Sequence, residues 1–213
     1  MRVCLASTSP ARLMLLRQAG IEPETMAPDV DEDAVVAAVQ QDEARILPAA
    51  EHVLLLARRK AADVAERAAA AGFEGIVIGG DSMFEIDGEI LGKPYTAEAA
   101  IARWRAMRGR TGILHSGHSV VRVADGGTAA EAHAVAEAAV TFSADITDDE
   151  IAAYVATGEP LHVAGAFTID SLGGAFIDSV QGDPSTVVGM SLPTVRRLAR
   201  RLGVDWPALW NRS

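Results

Sequence analysis

Apolar residues along the chain fall into two periods. Val3-Cys4-Leu5-Ala6 reads as a short buried strand, and Ile76-Val77-Ile78 is a β-branched run of the same kind. Alternating stretches at roughly 113–124 and 132–143, split by Asp125-Gly126-Gly127, predict a long antiparallel pair. Helical spacing runs from Pro10 to a stop at Gly20, where Ser9 is placed as N-cap and Pro10 at the first helical position. A second helix is expected over Ala34 to Gln40, then a polar loop at 41–47, then a long Ala-rich helix from about Ala49 to Ala71 whose charges are mostly solvated. Thr96 caps a helix with an apolar seam of Ile101, Trp104 and Met107, and Thr147-Asp148-Asp149-Glu150 is a capping box ahead of Ile151, Tyr154 and Val155. Short Gly-punctuated strands are expected through Phe176 to Val180, a loop at 181–186, and a last helix capped by Ser191 with Val195, Leu198 and Leu202 inside. Helices and strands intermix through hairpins, which favours a mixed α/β or α+β sheet in one domain or two lobes with a ligand cleft between them.

The stretch from Ile76 to Pro94 draws the most attention. The apolar run stops at Gly79-Gly80, delivers Asp81, resumes as a strand, turns at Asp87-Gly88 and returns to Gly92-Lys93-Pro94. A two-residue type I′ turn sets Ile86 opposite Glu89 and Glu85 opposite Ile90; carried on, that register puts Ser82 opposite Lys93 and Asp81 near Lys93. Two readings stand: an ordinary hairpin with a solvated ion pair, or a carboxylate and an ammonium sharing a ligand, with Gly79-Gly80 letting that ligand approach the backbone.

Composition narrows the classes. The chain has 213 residues, 49% of them hydrophobic, enough for a substantial core, and no apolar run of membrane-spanning length. Met1-Arg2 leads straight into the first strand without a signal peptide, which makes the cytoplasm the expected location. The single Cys4 is expected to be a small core hydrophobe. A net charge of −10 argues against a nucleic-acid coat protein, and the Arg196, Arg197, Arg200 and Arg201 face of the last helix reads as solvated. The charge leaves room for a small anion held by local cations or through a metal. Ser7, Thr8, Ser9 and Arg12 gather at a helix N-terminus, either as an anion site or as a capped helix with an exposed arginine. Asp29-Val30-Asp31-Glu32-Asp33 either complements a helix dipole or binds a cation. His115 and His118, three apart on a strand, do not share a face and suggest no metal site.

Taken together, Leu5 to Arg12, Asp31-Glu32, Leu56-Ala57-Arg58-Arg59-Lys60-Ala61, Gly80-Asp81-Ser82, Leu91-Gly92-Lys93-Pro94, Gly109-Arg110-Thr111, Gly158-Glu159-Pro160, Ala164 to Phe167 and Gly182-Asp183-Pro184 resemble the Maf family of nucleoside triphosphate pyrophosphatases. The motifs follow family order from Leu5 to about Gly203. The resemblance implies one domain over 1–213 with two lobes and a central cleft, an inosine-triphosphatase-like fold with a long mixed sheet flanked by helices. It implies hydrolysis of a nucleoside triphosphate to a monophosphate and pyrophosphate with a divalent metal, magnesium or manganese, and a homodimer. Carried over by position, Asp81 is the catalytic carboxylate, Glu32 a metal or water partner, and Ser9, Arg12, Lys60 and Lys93 the phosphate contacts. Asp81 and Glu32 are the implied metal ligands.

Three positions depart from the family where the base is read. Ala11 replaces an arginine, Ser82 a threonine and Asp170 a glutamine of the thymidine/uridine-type members, and Ala11 also differs from the aromatic residue of the branch acting on 7-methylated guanosine triphosphate. His162-Val163 stands where an Asp-Lys pair is usual. A carboxylate at 170 suits a base amino group or a guanine edge. A second class of function is a non-catalytic nucleotide-responsive regulator of septum formation and cell division.

Overall fold

In the computed structural model the described residues, 1–211, form a seven-stranded mixed sheet flanked by helices. β1 (Arg2–Ala6) pairs in parallel with β2 (Glu24–Thr25) and with β3 (Gly75–Ile86), setting Cys4 opposite Val77 and Ala6 opposite Gly79. β4 (Glu89–Leu91) returns antiparallel along the other end of β3. β5 (Thr111–Ala124), β6 (Gly127–Phe142) and β7 (Ile177–Gly182) complete the order β2-β1-β3-β5-β6-β7, with β4 beside β3.

The hairpin register is the expected one near its turn and ends sooner. Asp87 and Gly88 take φ of 53° and 81°, as a type I′ loop requires, and Ile86 faces Glu89 and Glu85 faces Ile90. The ladder stops at Phe84 opposite Leu91. Gly92 to Tyr95 leave the strand, because Pro94 has no N–H to give a ladder and Tyr95 N donates to Leu161 O at 3.0 Å. The expected opposition of Ser82 and Lys93 is therefore absent from the sheet.

The helices are α1 (Pro10–Gln18), α2 (Glu32–Glu43), α3 (Ala49–Ala70), α4 (Ala97–Met107), α5 (Asp148–Ala156), α6 (Pro184–Val188) and α7 (Leu192–Arg201). Helix α2 starts two residues before the expected Ala34, because the Asp31 carboxylate caps it by accepting from Ala34 N at 3.0 Å. It also runs on through 41–43, where a loop was expected, until Ala44 turns left-handed at φ 52°. Between 159 and 176 the chain forms three short 3₁₀ turns, the last of which, Leu172–Phe176, stands where a strand was expected, and Pro184 opens the brief α6 inside the expected loop.

The chain divides into two compact units, each with its own core. The first comprises Met1–Asp81, Ser116–Ala136 and the segment from Gly189, and the second Ser82–His115 and Glu137–Val188. In the first, the inner face of α3, with Ala61, Val64, Ala65 and Ala68, packs on Cys4, Val77, Val121 and Val123. Burial pushes the Cys4 thiol up to about 11, so this residue is the core hydrophobe its setting predicts. In the second, Trp104 meets Phe142 and Tyr154 edge-to-face at 5.4 and 5.3 Å, and its indole N–H donates to Ala166 O at 2.7 Å. Among the described residues no helix is long and apolar enough to cross a membrane.

Candidate active site

The site grows from glycines that let a helix lie close on the sheet. A Cβ on Gly79 would stand 2.4 Å from Ala57 O and 2.8 Å from Ala61 Cβ, and one on Gly117 would stand 2.2 Å from Val53 O. Val53, Ala57 and Ala61 are four apart on one stripe of α3, so the helix rests against β3 and β5 where those strands carry no side chain. Gly79 thus receives a helix.

Close approach brings Lys60 to Asp81. Asp81 lies two residues after Gly79 on the same face of β3, and Lys60 is one residue from Ala61 on the stripe that rests there. Lys60 Nζ donates to Asp81 Oδ1 at 2.7 Å and lies 2.8 Å from Glu32 Oε1. The Lys60 side chain is 9% exposed and that of Asp81 13%, whereas that of Glu32, at the first turn of α2, is 48% exposed. Lys60 is thus a buried cation in a helix most of whose charges were expected to be solvated. It is held by two carboxylates because an unpaired ammonium there costs several kcal/mol, on the order of a buried ion's desolvation.

The N-terminus of α1 adds a second cation. Ser9 caps the helix by accepting from Arg12 N at 3.4 Å, and Ser7 Oγ accepts from Ser9 N at 3.1 Å. Arg12 turns back beside the strands: Nε donates to Gly189 O at 2.9 Å and Nη1 to Ser7 Oγ at 3.2 Å. Gly80 makes room for it, since a Cβ there would stand 3.3 Å from Arg12 Nε. Burial pulls the guanidinium below its ordinary value, and the charges of Asp81 and Glu32 oppose that pull. The exposed-arginine alternative is therefore discarded. Ala11, on the first turn of α1, is half-buried.

Two contributors escaped the sequence. Ser116 Oγ lies 3.4 Å from Asp81 O and 3.3 Å from Gly189 O, so it ties β5 both to β3 and to the carbonyl that holds Arg12. Nothing in the alternation of β5 marks Ser116, and Gly189 acts through its backbone oxygen. His118 Nε2 accepts from Ser191 N at 2.8 Å.

The remaining sequence-predicted residues belong to the second unit. Ser82 follows Asp81 on β3 and is half-buried, Lys93 is exposed in the segment after β4, and Asp170 is exposed in the turn-rich segment before β7. His115 lies between Glu137 Oε1 at 3.0 Å and Glu85 Oε2 at 3.1 Å. Thus Ser9, Arg12, Glu32, Lys60 and Asp81 are brought into the first unit, with Lys60, Glu32 and Asp81 in direct contact.

Among the described residues no group of three or more His, Cys, Asp and Glu side chains converges as a metal site. Glu32 and Asp81 nevertheless present hard oxygens to one positively charged atom, the arrangement in which a divalent ion takes two protein ligands and fills the rest with phosphate and water.

A family model described as "Maf-like protein" matches residues 2–202. The chain is 57% identical over 213 residues to a protein of Leifsonia xyli subsp. xyli (strain CTCB07) named nucleoside triphosphate pyrophosphatase, covering 100% of this chain and 98% of the relative. It is 51% identical over 211 residues to a protein of that name from Rhodococcus jostii (strain RHA1), covering 98% and 96%, and 50% identical over 209 residues to one from Streptomyces coelicolor (strain ATCC BAA-471 / A3(2) / M145), covering 98% and 94%. The solved structure of the Staphylococcus aureus Ham1 protein aligns with a TM-score of 0.37 at 12% identity, over 68% of this chain and 73% of that one.

Proposed function

The chain belongs to the Maf-like protein family, and on that premise we propose that it is a nucleoside triphosphate pyrophosphatase, cleaving its substrate to a nucleoside monophosphate and pyrophosphate. The observation that carries the chemistry is the contact of Lys60 with both Asp81 and Glu32 beside Arg12. Hydrolysis of a phosphoanhydride needs a group to take a proton from water and fixed positive charge where the phosphate oxygens gain negative charge. Asp81 is the acceptor: it takes the proton as the water oxygen bonds to phosphorus and the anhydride oxygen leaves with pyrophosphate. An ammonium has three donors, of which Asp81 and Glu32 engage two; the third is the one we assign to a phosphate oxygen. Arg12 and Ser9 contribute charge and a hydroxyl from the start of α1, and Lys93 a further cation.

Glu32 and Asp81 are the residues that would hold a magnesium or manganese ion, which when bound supplies Lewis-acid charge to the phosphate oxygens. Ala11, Ser82 and Asp170 are assigned to selection of the base. We further propose a cytoplasmic enzyme that acts as a homodimer, a state that light scattering would read directly, and that has no nucleic-acid partner. Regulation of cell division without turnover is not favoured, since the curated relatives carry an enzyme's name over the full chain.

The test is a panel of ordinary and modified triphosphates with magnesium or manganese, following pyrophosphate and monophosphate. Turnover is expected on at least one, and Asp81→Asn should reduce it by about 10²- to 10⁴-fold. Absence of turnover throughout, or an Asp81→Asn protein as active as the parent, would overturn the proposal.

A further inference from the structure

A buried histidine that the catalytic chemistry does not use is tied to the turn that holds Arg12. His118 and Ser116 are two apart on β5 and share one face, opposite the face on which Gly117 receives α3. Both are fully buried, and both reach the turn that leads into α7. Ser116 Oγ lies 3.3 Å from Gly189 O, and His118 Nε2 accepts from Ser191 N at 2.8 Å. Gly189 takes φ of 123°, a conformation that favours glycine, and its carbonyl accepts from Arg12 Nε at 2.9 Å. The turn is therefore held at both ends, by Arg12 and Ser116 at Gly189 and by His118 at Ser191.

These ties are unequal. The His118 bond has an ordinary hydrogen-bond length, whereas Ser116 Oγ stands 3.3 to 3.4 Å from Gly189 O, Asp81 O and His118 Nε2 and has one proton to give. A turn through glycine has the most backbone freedom to lose, so the firmer bond decides where Gly189 O stands. Because Ser191 N is a donor, Nε2 carries no proton and the ring is the neutral tautomer protonated on Nδ1. The absence of charge matters. A carboxylate would accept from Ser191 N as well, but it would bring a negative charge to the turn that Arg12 touches and weaken the pull of the guanidinium on a phosphate. Gly189 O and Ser7 Oγ, which accept from Arg12, are likewise uncharged.

We propose that His118 is a positioning residue for phosphate binding: by accepting from Ser191 N it fixes the turn whose Gly189 carbonyl holds the Arg12 guanidinium in place for the substrate's phosphates. This rests on the reading of Arg12 as a phosphate contact. Every residue in the chain of contacts, from His118 through Ser191 and Gly189 to Arg12, belongs to the first unit.

The experiment is calorimetric binding of inorganic tripolyphosphate, with magnesium present, to the parent, His118→Leu, His118→Gln, Arg12→Ala and the double variant His118→Leu with Arg12→Ala. It needs no turnover, so a parent that binds tripolyphosphate but hydrolyses no triphosphate would sink the enzymatic reading and leave this one standing. Leucine keeps the bulk and loses the acceptor; glutamine places Oε1 as many bonds from the backbone as Nε2 and keeps it. His118→Leu should weaken binding by about tenfold, the scale of one charge-assisted hydrogen bond, and His118→Gln should stay within about threefold of the parent. With Arg12 already replaced by alanine, His118→Leu should change the affinity by less than about twofold, since a residue that acts through Arg12 then has nothing to position. A folded His118→Leu protein with the parent's affinity, a His118→Gln protein as weak as His118→Leu, the same loss from His118→Leu with and without Arg12, or a parent that does not bind tripolyphosphate overturns the proposal. Where neither His118→Leu nor His118→Asn, whose amide is one bond too short to reach Ser191 N, yields folded protein, NMR of the ring nitrogens in the parent decides: a proton on Nε2 overturns the proposal, and a proton on Nδ1 alone supports it.

Discussion

Lys60 stands on the small-residue stripe of α3 with almost no access to water, and both of its carboxylate partners depend on it. Glu32 opens one helix and Asp81 lies on a strand, so no local sequence relation holds them near each other; the ammonium at 2.8 and 2.7 Å does. Without the cation, two like charges face each other with less water than an exposed pair would have. Lys60→Met should therefore lose about 2–3 kcal/mol of stability, less than a fully buried pair because Glu32 is half-exposed, and should melt some 5–10 °C below the parent. The sign of the metal response follows from the same geometry. A divalent cation can replace the missing ammonium between the carboxylates, so millimolar magnesium should raise the melting temperature of Lys60→Met more than that of the parent. Equal shifts in the two proteins, measured by differential scanning fluorimetry, would remove Glu32 and Asp81 as a shared cation site.

At the scale of elements, the position of α3 decides whether Lys60 can reach Asp81. Gly79 and Gly117 have no left-handed backbone to excuse them; they are glycines because Ala57 O and Val53 O occupy the space of a Cβ. Backbone carbonyls in a helix cannot move aside as a flexible side chain can. Gly79→Ala should lift α3 off β3, cost about 2–3 kcal/mol by overpacking, and lower turnover by more than the loss of folded protein accounts for, because the Lys60–Asp81 contact lengthens. Thermal melts alongside turnover per folded molecule would check it; a variant that melts lower but keeps the parent's turnover per folded molecule would separate the glycine from the site. The sequence marks Gly79-Gly80 as a close approach but not what approaches, since helix and ligand leave the same signature in a strand. The turn at Asp87-Gly88 and the caps at Ser9, Thr96, Thr147 and Ser191 are readable because each is fixed by residues three or four apart. The last 3₁₀ turn, Leu172–Phe176, is not, because Glu159 holds its start through backbone donors 13 and 14 positions away.

Across the whole molecule, charge is arranged against the global average. The chain carries a net −10, yet Lys60 is buried against Asp81 and Arg12 is half-buried near it. A triphosphate gains little from the long-range field of such a protein, so the proposed reaction leans on local cations. The motifs were legible as an ordered set spread from Leu5 to about Gly203, and the family match over residues 2–202 agrees with that span. What spacing in the sequence could not give was contact across it: Glu32, Lys60 and Asp81 are separated by 28 and 21 positions, and only the parallel pairing of β1 with β3 and the packing of α3 bring them together. Because the Lys60 ammonium already bridges both carboxylates, the fold does not depend on an added cation, whereas the proposed reaction does. Removing divalent ions with EDTA should therefore abolish at least about 99% of turnover while moving the melting temperature by no more than a degree or two, and magnesium or manganese should restore activity. Circular dichroism and pyrophosphate release on the same sample would read both, and turnover that survives exhaustive chelation would assign the transition-state charge to Lys60, Arg12 and Lys93 alone.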